Sequence, residues 1–391
     1  MIKRQIEKEI RILLKEFPAV SILGARQIGK TTLATTIANS LKKKIIYFDL
    51  ERTTDRNKLQ DIETVLEKNT GNLMIIDEAQ TMPELFTVLR PVIDKHKQKG
   101  SYLLLGSVAP NLVKNISETL AGRIAHIELP PINLLEAKQH TISLEKLWFR
   151  GGYPSALSAK SDISYYRWME NYCKNFVERD VNLLMNDALS SVTVRKIWNM
   201  LAGINGNLLN IADISRSLGV NRVTTEKYLD FLEGAFLIRR LLPWYTNISK
   251  RLVKSPKIYF RDSGVLHYFN NVYSFNDLQN DISIGASWES FVVEQIHQLK
   301  PYYMTPYFYR THHGAEADII LVKGNKPIAT IEIKLNNSPT VSKGIYEVID
   351  DLKTTHNYII TPNSDTYIIN NNYKIKVCSL EYFLKTEIKK L

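Results

Sequence analysis

At 391 residues, 44% hydrophobic and 23% charged, the chain has a globular composition and is too long for one ordinary core, so two or three domains are expected. Two cysteines, Cys173 and Cys378, exclude a disulfide framework, and no uncharged apolar run approaches the ~18 residues of a membrane span. The start MIKRQIEKEIRILLKEF lacks a secretory signal's apolar core, so a cytoplasmic location without a membrane partner is expected, and the net charge of +11 admits nucleic acid as a partner.

In chain order, Lys3 to Lys15 has helical spacing, AVSILG is an apolar strand stopped by glycine, and KTTLATTIANSL resumes a helical period. KKIIYFDL, NLMIIDEA and SYLLLGS are further strands, separated by helical segments such as PELFTVLRPVIDKHKQ. Buried strands alternating with helices predict a parallel sheet covered on both faces. IELPPINLLE marks a boundary, and a helix-rich stretch with tryptophan and tyrosine runs on to about Gly206. NIADISRSLGVNRVTTEKYLDFLE reads as helix, tight turn at Gly219, helix, followed by strand-like AFLIRRLLPWYT and PKIYFRD. The helix SWESFVVEQIHQL and the strands YFYRT, EADIILV and ATIEIKL come last. The expected domains are 1–145 (nucleotide-binding), 146–205 (helical lid or linker), 206–270 (winged helix) and 280–391 (nuclease-like).

Between the first strand and its helix lies GARQIGKTT, matching GxxxxGK[ST]. Gly24 and Gly29 permit a tight path through Ala25, Arg26, Gln27 and Ile28, whose amides cradle phosphate oxygens at the start of a helix. Lys30 reaches the β- and γ-phosphates, Thr31 is placed to ligate Mg²⁺, and Thr32 completes the loop. Asp77, ending the strand MIID, is placed to hold the metal, and Glu78 to polarise the attacking water. Ser107 ends the fourth strand within reach of the γ-phosphate or the water, while Asp49, ending the second, reads as structural. ATP and Mg²⁺ are the expected cofactors.

In the middle of the chain, Ile211, Ile214, Leu218, Val220, Tyr228, Leu229 and Leu232 would form the core of a helix-turn-helix. That exposes Asn221, Arg222, Thr224, Thr225 and Lys227 near the start of the second helix, where a reading helix meets base edges. From Arg239 to Arg261 the chain is basic (Arg239, Arg240, Lys250, Arg251, Lys254, Lys257, Arg261) with no acidic residue, as the strands of a phosphate-contacting wing would be. Nucleic acid, DNA over RNA, is the expected partner.

Towards the C-terminus, Glu332 and Lys334 lie two apart on a strand and so share a face, and Asp318 on the neighbouring strand of a hairpin can join them. The order resembles the PD-(D/E)XK nuclease arrangement, with Glu289 as the upstream helix glutamate. Glu294, about 140° further round that helix, points elsewhere. Asp318 and Glu332 would hold a second divalent metal, Mg²⁺ or Mn²⁺. His312 and His313 read as solvated loop residues.

GARQIGKTTL, IIDEAQ, LLGS, ETLAGRIAHIELPP, FRGGYP, NYCKNFVERDV, KSPKIYFRDSG, SWESFVVEQI and EADIILV together resemble the bacterial and archaeal AAA-type ATPases that carry a C-terminal DUF4143 domain, over nearly the whole chain. The fold class implied is α/β, a P-loop NTPase parallel sheet of AAA/ASCE type. A winged-helix domain and a restriction-endonuclease-like α/β domain would follow it. The resemblance makes Arg123 in LAGR a candidate arginine finger donated to a neighbouring subunit, and hence implies a homo-oligomer; Arg150 in FRGGYP is a second candidate. The expected function is Mg²⁺-dependent ATP hydrolysis coupled to nucleic-acid binding or remodelling. The alternatives are an ATP-gated metal-dependent DNA nuclease and an ATP-switched DNA-binding regulator with little turnover.

Overall fold

The computed structural model describes residues 2–108, 120–181, 190–245, 252–370 and 372–391. They fall into two units, Met1–Pro131 with Leu229–Leu237, and Ile132–Tyr228 with Ile238–Leu391.

Unit one is built on β1 (Ala19–Leu23), β2 (Ile45–Asp49), β3 (Leu73–Asp77), β4 (Tyr102–Gly106) and β5 (Ile124–Glu128). Every residue of β3 and β4 is buried, as continuous apolar runs in a doubly covered parallel sheet should be. The order is β2-β3-β4-β1-β5 with all neighbours parallel, so β4 stands between β1 and β3. This is the P-loop sheet of AAA/ASCE type. On one face, the helix Glu84–His96 packs Leu85, Phe86 and Leu89 against Phe48, Met74 and Leu104. The consequence for function is the sheet's carboxyl edge. Register pairs Leu23 with Gly106 and Ile76 with Leu104, which brings the loop after β1, Asp77 and Ser107 to one edge, where open α/β sheets bind ligands.

In unit two, the helices Leu144–Arg150, Asp162–Asn175 and Ser191–Gly203 precede the helix Ile211–Leu218 and the start of the helix Arg222–Gly234. Asn210 caps Ile211–Leu218 by accepting from the amides of Ala212 and Asp213, and Gly219 ends it in the left-handed region at φ 68°. β6 (Ile238–Leu241) and β7 (Lys257–Phe260) pair antiparallel, and Lys257 also bridges to Leu208. After the helix Ile284–Leu299 come β8 (Met304–Arg310), β9 (Glu316–Lys323) and β10 (Lys326–Ile333). The helix Lys343–Leu352 then leads to β11 (His356–Thr361), β12 (Tyr367–Ile369) and β13 (Ile375–Ser379). The sheet runs β12-β13-β11-β10-β9-β8, antiparallel through β8, β9 and β10 and parallel from β10 through β11 to β13. The expected hairpin carrying Asp318 and Glu332 is β9–β10. Lys343–Leu352 supplies the crossover between its parallel strands, with Ile345, Val348 and Ile349 packed on Ile320 and Ile359.

Candidate functional site

Leaving β1, Gly24 has φ 155°, and a Cβ there would stand 2.4 Å from the Leu129 carbonyl oxygen, so the position admits only glycine. Gln27 at φ 58° and Gly29 at φ 100° turn the chain into the helix Lys30–Asn39. The first-turn amides of that helix lack partners within it and favour an anion. Lys30, 5% exposed, donates from Nζ to the carbonyl oxygens of Gly24 and Ala25 at 2.9 and 3.0 Å. Ala25 and Ile28 are buried, Thr32 is exposed on the helix, and Arg26 forms an ion pair with Glu51. Thr31 Oγ1 donates to Asp77 Oδ2 at 2.6 Å, and the Tyr47 hydroxyl donates to the same oxygen at 2.9 Å. Burial pushes the Asp77 carboxyl up, opposed by the hydrogen bonds from Thr31 and Tyr47. Two hard oxygen donors beside a phosphate loop form a donor set that fits Mg²⁺, whose charge would favour the ionised carboxylate.

Glu78 sits in the left-handed region at φ 52° and ψ 43°, a conformation held for a non-glycine residue only when its surroundings enforce it. Asp77 Oδ1 accepts the Glu78 amide at 3.0 Å, and Glu78 Oε2 accepts from Ser107 Oγ at 2.8 Å and from the Gln80 side-chain amide. Gln80 Nε2 also donates to Ser107 Oγ at 3.1 Å. Ser107, expected on phosphate or water, thus holds the carboxylate expected to polarise that water. Gln80 joins it, a contact that depends on β3 and β4 being neighbours. A hydrogen bond to a charged group contributes about 1.5–3 kcal/mol. Ser107→Ala is therefore expected to lower kcat about ten- to a hundredfold at unchanged ATP affinity, read by steady-state phosphate release. An unchanged kcat would remove Ser107 from the positioning of Glu78.

Arg123 clasps Asp94 with Nε and Nη2 at 2.6 and 2.8 Å, so any role toward another subunit requires this two-pronged pair to open. Arg150 is buried, bonded to Asp162 at 2.7 Å and to the Ala159 carbonyl at 2.6 Å, and so is spent inside its own unit.

Along the helix Arg222–Gly234, Arg222 and Lys227 are exposed and Thr224 is half-buried. Asn221 is exposed, but its Oδ1 caps the helix by accepting the Thr224 amide at 2.8 Å, and Arg222 is paired with Glu226 at 3.0 Å. Thr225, expected to be exposed, is fully buried and bonded to Ser215 Oγ at 2.8 Å. Its spacing to buried Tyr228, Leu229 and Leu232 puts it on the apolar stripe. The basic run after it is also corrected. Arg239 and Arg261 both bind Glu294, at 3.0 and 3.2 Å, and Lys257 is buried. Lys254 is exposed, and Lys250 and Arg251 lie outside the described residues.

Lys257 Nζ lies 3.1 Å from Glu289 Oε1, 2.8 Å from Glu316 Oε1 and 3.6 Å from Asp318 Oδ1. The Tyr259 hydroxyl donates to Glu289 Oε1 at 2.5 Å, Asp318 Oδ2 accepts the Ile333 amide at 2.8 Å, and Lys334 pairs with Glu332 at 2.6 Å. Glu289, Asp318, Glu332 and Lys334 thus gather as their order predicts, while Glu294 turns to the arginines. Glu316, two before Asp318 on the same face of β9, joins them through Lys257, though no motif in the sequence marks it. Burial, then Asp318, pushes the Glu289 carboxyl up to about 7 and that of Glu332 up to about 8, against the pull of the lysines. Burial pulls the Lys257 ammonium down, but Tyr259, Glu289, Asp318 and Glu316 outweigh it and leave it well above its ordinary value. Among the described residues, no group of three or more His, Cys, Asp or Glu side chains is disposed to hold a metal ion. Among them, too, no helix is long and apolar enough to cross a membrane. His312 and His313 are exposed.

Residues 16–138 match the AAA domain family, 141–276 a domain of unknown function, DUF8612, and 284–383 another, DUF4143. Uncharacterized proteins of Mycobacterium bovis and Mycobacterium tuberculosis are each 35% identical over 368 residues, covering 93% of this chain and 81% of theirs. Among solved structures, a Walker-type ATPase of Pyrococcus abyssi is 14% identical, with a TM-score of 0.41 over 69% of this chain and 96% of its own. The Holliday junction branch migration motor RuvB of Thermotoga maritima is 18% identical, with a TM-score of 0.32 over 61% and 90%.

Proposed function

Because the chain belongs to the AAA-type P-loop ATPases with a C-terminal DUF4143 domain and is an ATP hydrolase, we propose that it couples Mg²⁺-dependent hydrolysis to the binding or remodelling of nucleic acid, DNA over RNA. Lys30 and the loop Gly24–Thr32 hold the phosphates, Thr31 and Asp77 hold Mg²⁺, and Glu78 orients the attacking water and takes its proton. Bound there, Mg²⁺ supplies charge that stabilises the β- and γ-phosphate oxygens. Arg123 of a second copy completes the site once its Asp94 pair opens.

The nucleic-acid half of the reading is carried by one observation. Arg222 and Lys227 are exposed on the second of two consecutive helices that two antiparallel strands follow, the element order of a winged helix. Fluorescence anisotropy on single-stranded, duplex and forked DNA and on RNA tests it. Arg222→Ala and Lys227→Ala are each expected to weaken DNA binding and to lower the slope of log affinity against log salt by about one. Unchanged binding in the double variant would sink this interface. An ATP switch with little turnover is the second reading; in it the grip of Ser107 and Gln80 restrains Glu78, and Ser107→Ala raises kcat instead of lowering it. A rate near zero with and without DNA at saturating ATP selects it.

A further inference from the structure

We propose that Lys257 is the resident cation of the carboxylate cluster formed by Glu289, Glu316 and Asp318. Its ammonium fills the space between those carboxylates, Asp318 among them, so the centre takes no metal and cuts no phosphodiester.

The donor set invites a metal reading, and the geometry answers it. The Lys257 ammonium lies within 3.6 Å of an oxygen of all three carboxylates. Mg²⁺ needs carboxylate oxygens at about 2.0–2.1 Å and a nearly regular octahedron around it. An ion bound by Asp318, with Glu332 or Glu289 as its second ligand, would therefore sit beside a positive charge of the chain 3.6 Å from Asp318 Oδ1. Lys257 is held on its strand from both sides, pairing with Leu241 in β6 and bridging to Leu208. It is 3% exposed, and its ammonium lies over the Phe308 ring, 5.7 Å from the centroid. With its stem buried, the ammonium can swing clear of an incoming ion only by breaking its pairs with these carboxylates.

Several of the other oxygens a metal would use carry further partners. Tyr259, two residues along β7 and so on the same face as Lys257, donates to Glu289 Oε1 at 2.5 Å. Asp318 Oδ2 takes the Ile333 amide, and Glu332 Oε1 is paired with Lys334. The cluster therefore ties β7 to β9 and to the helix Ile284–Leu299 through an internal ammonium. This is the chemistry of a structural ion-pair cage. Lys257 looked like a phosphate contact in the basic run of the sequence, and the cluster accounts for it without nucleic acid.

The test uses the full chain without nucleotide, so it does not depend on the ATPase or on nucleic-acid binding. Mn²⁺ is titrated against wild type, Asp318→Asn and Lys257→Met, with free Mn²⁺ read by electron paramagnetic resonance. Cleavage of plasmid and of single-stranded DNA is followed alongside. Wild type and Asp318→Asn are expected to bind the same amount of Mn²⁺ and to cut no faster than buffer. Lys257→Met, with its ammonium removed, is expected to gain an extra Mn²⁺ per chain and to lose it again when Asp318→Asn is added. A Mn²⁺ site in wild type that Asp318→Asn removes overturns the proposal, as does cleavage that Asp318→Asn or Lys334→Ala abolishes. A folded Lys257→Met that binds no extra Mn²⁺ overturns it too. Should Lys257→Met fail to fold, the comparison of wild type with Asp318→Asn still decides.

Discussion

Glu78→Gln is expected to lower kcat for ATP hydrolysis about 10²- to 10⁴-fold while ATP affinity changes little. Glutamine keeps the shape of the side chain and an oxygen for the Ser107 hydroxyl, 2.8 Å away in the wild type. It cannot take a proton from water. The neighbouring carboxylate does not substitute, because Asp77 is committed to Thr31, Tyr47 and the Glu78 amide. Lys30→Ala should behave differently. Its ammonium is buried against the loop carbonyls of Gly24 and Ala25, so its removal takes away both phosphate binding and turnover. Binding of a fluorescent ATP analogue together with single-turnover phosphate release separates the two variants. A Glu78→Gln enzyme turning over within tenfold of wild type would place the chemistry on another residue.

The phosphate loop was legible in the sequence because its glycines answer a backbone demand. Gly24 and Gly29 sit at φ 155° and 100°, where other residues are strained, so spacing alone located the turn. β3 and β4 were legible as unbroken apolar runs. β5 was not, since the short IAHIE mixes apolar residues with His126 and Glu128 and merges with the prolines that follow. β11, β12 and β13 were not legible, since HNYIIT and IKVCS mix their apolar residues with polar ones and YII has only three residues. The side chains around Glu78 show a deeper limit. Gln80 and Ser107 are 27 residues apart, and only the strand order brings them to one carboxylate. The basic run misled for a related reason. A count of lysines and arginines from Arg239 to Arg261 cannot register that Glu289 and Glu294 arrive from a later helix to pair with three of them. Thr225 was misplaced although its stripe was readable, since a polar side chain on an apolar face finds its partner, Ser215, only in the folded unit.

Glu294→Ala is expected to destabilise the chain by about 3–5 kcal/mol, the usual cost of removing one member of a buried ion pair. Glu294 is 4% exposed and Arg261 5%, and the carboxylate serves Arg239 at 3.0 Å through Oε2 and Arg261 at 3.2 Å through Oε1. Alanine leaves two guanidinium groups facing each other in a poorly solvated space. Glu294→Gln keeps the volume and an acceptor, so its loss should be smaller and consist mainly of the charge term. Lys254→Ala, on an exposed position of the same basic run, is the control and should shift stability by no more than about 0.5 kcal/mol. Urea unfolding followed by tryptophan fluorescence reads all three. The result bears on function as well as on stability. If Glu294→Ala is costly and Lys254→Ala is silent, Arg239 and Arg261 belong to the core, and weakened DNA binding in their variants would report misfolding. An unfolding midpoint for Glu294→Ala equal to that of wild type would show that the arginines are not held by this carboxylate.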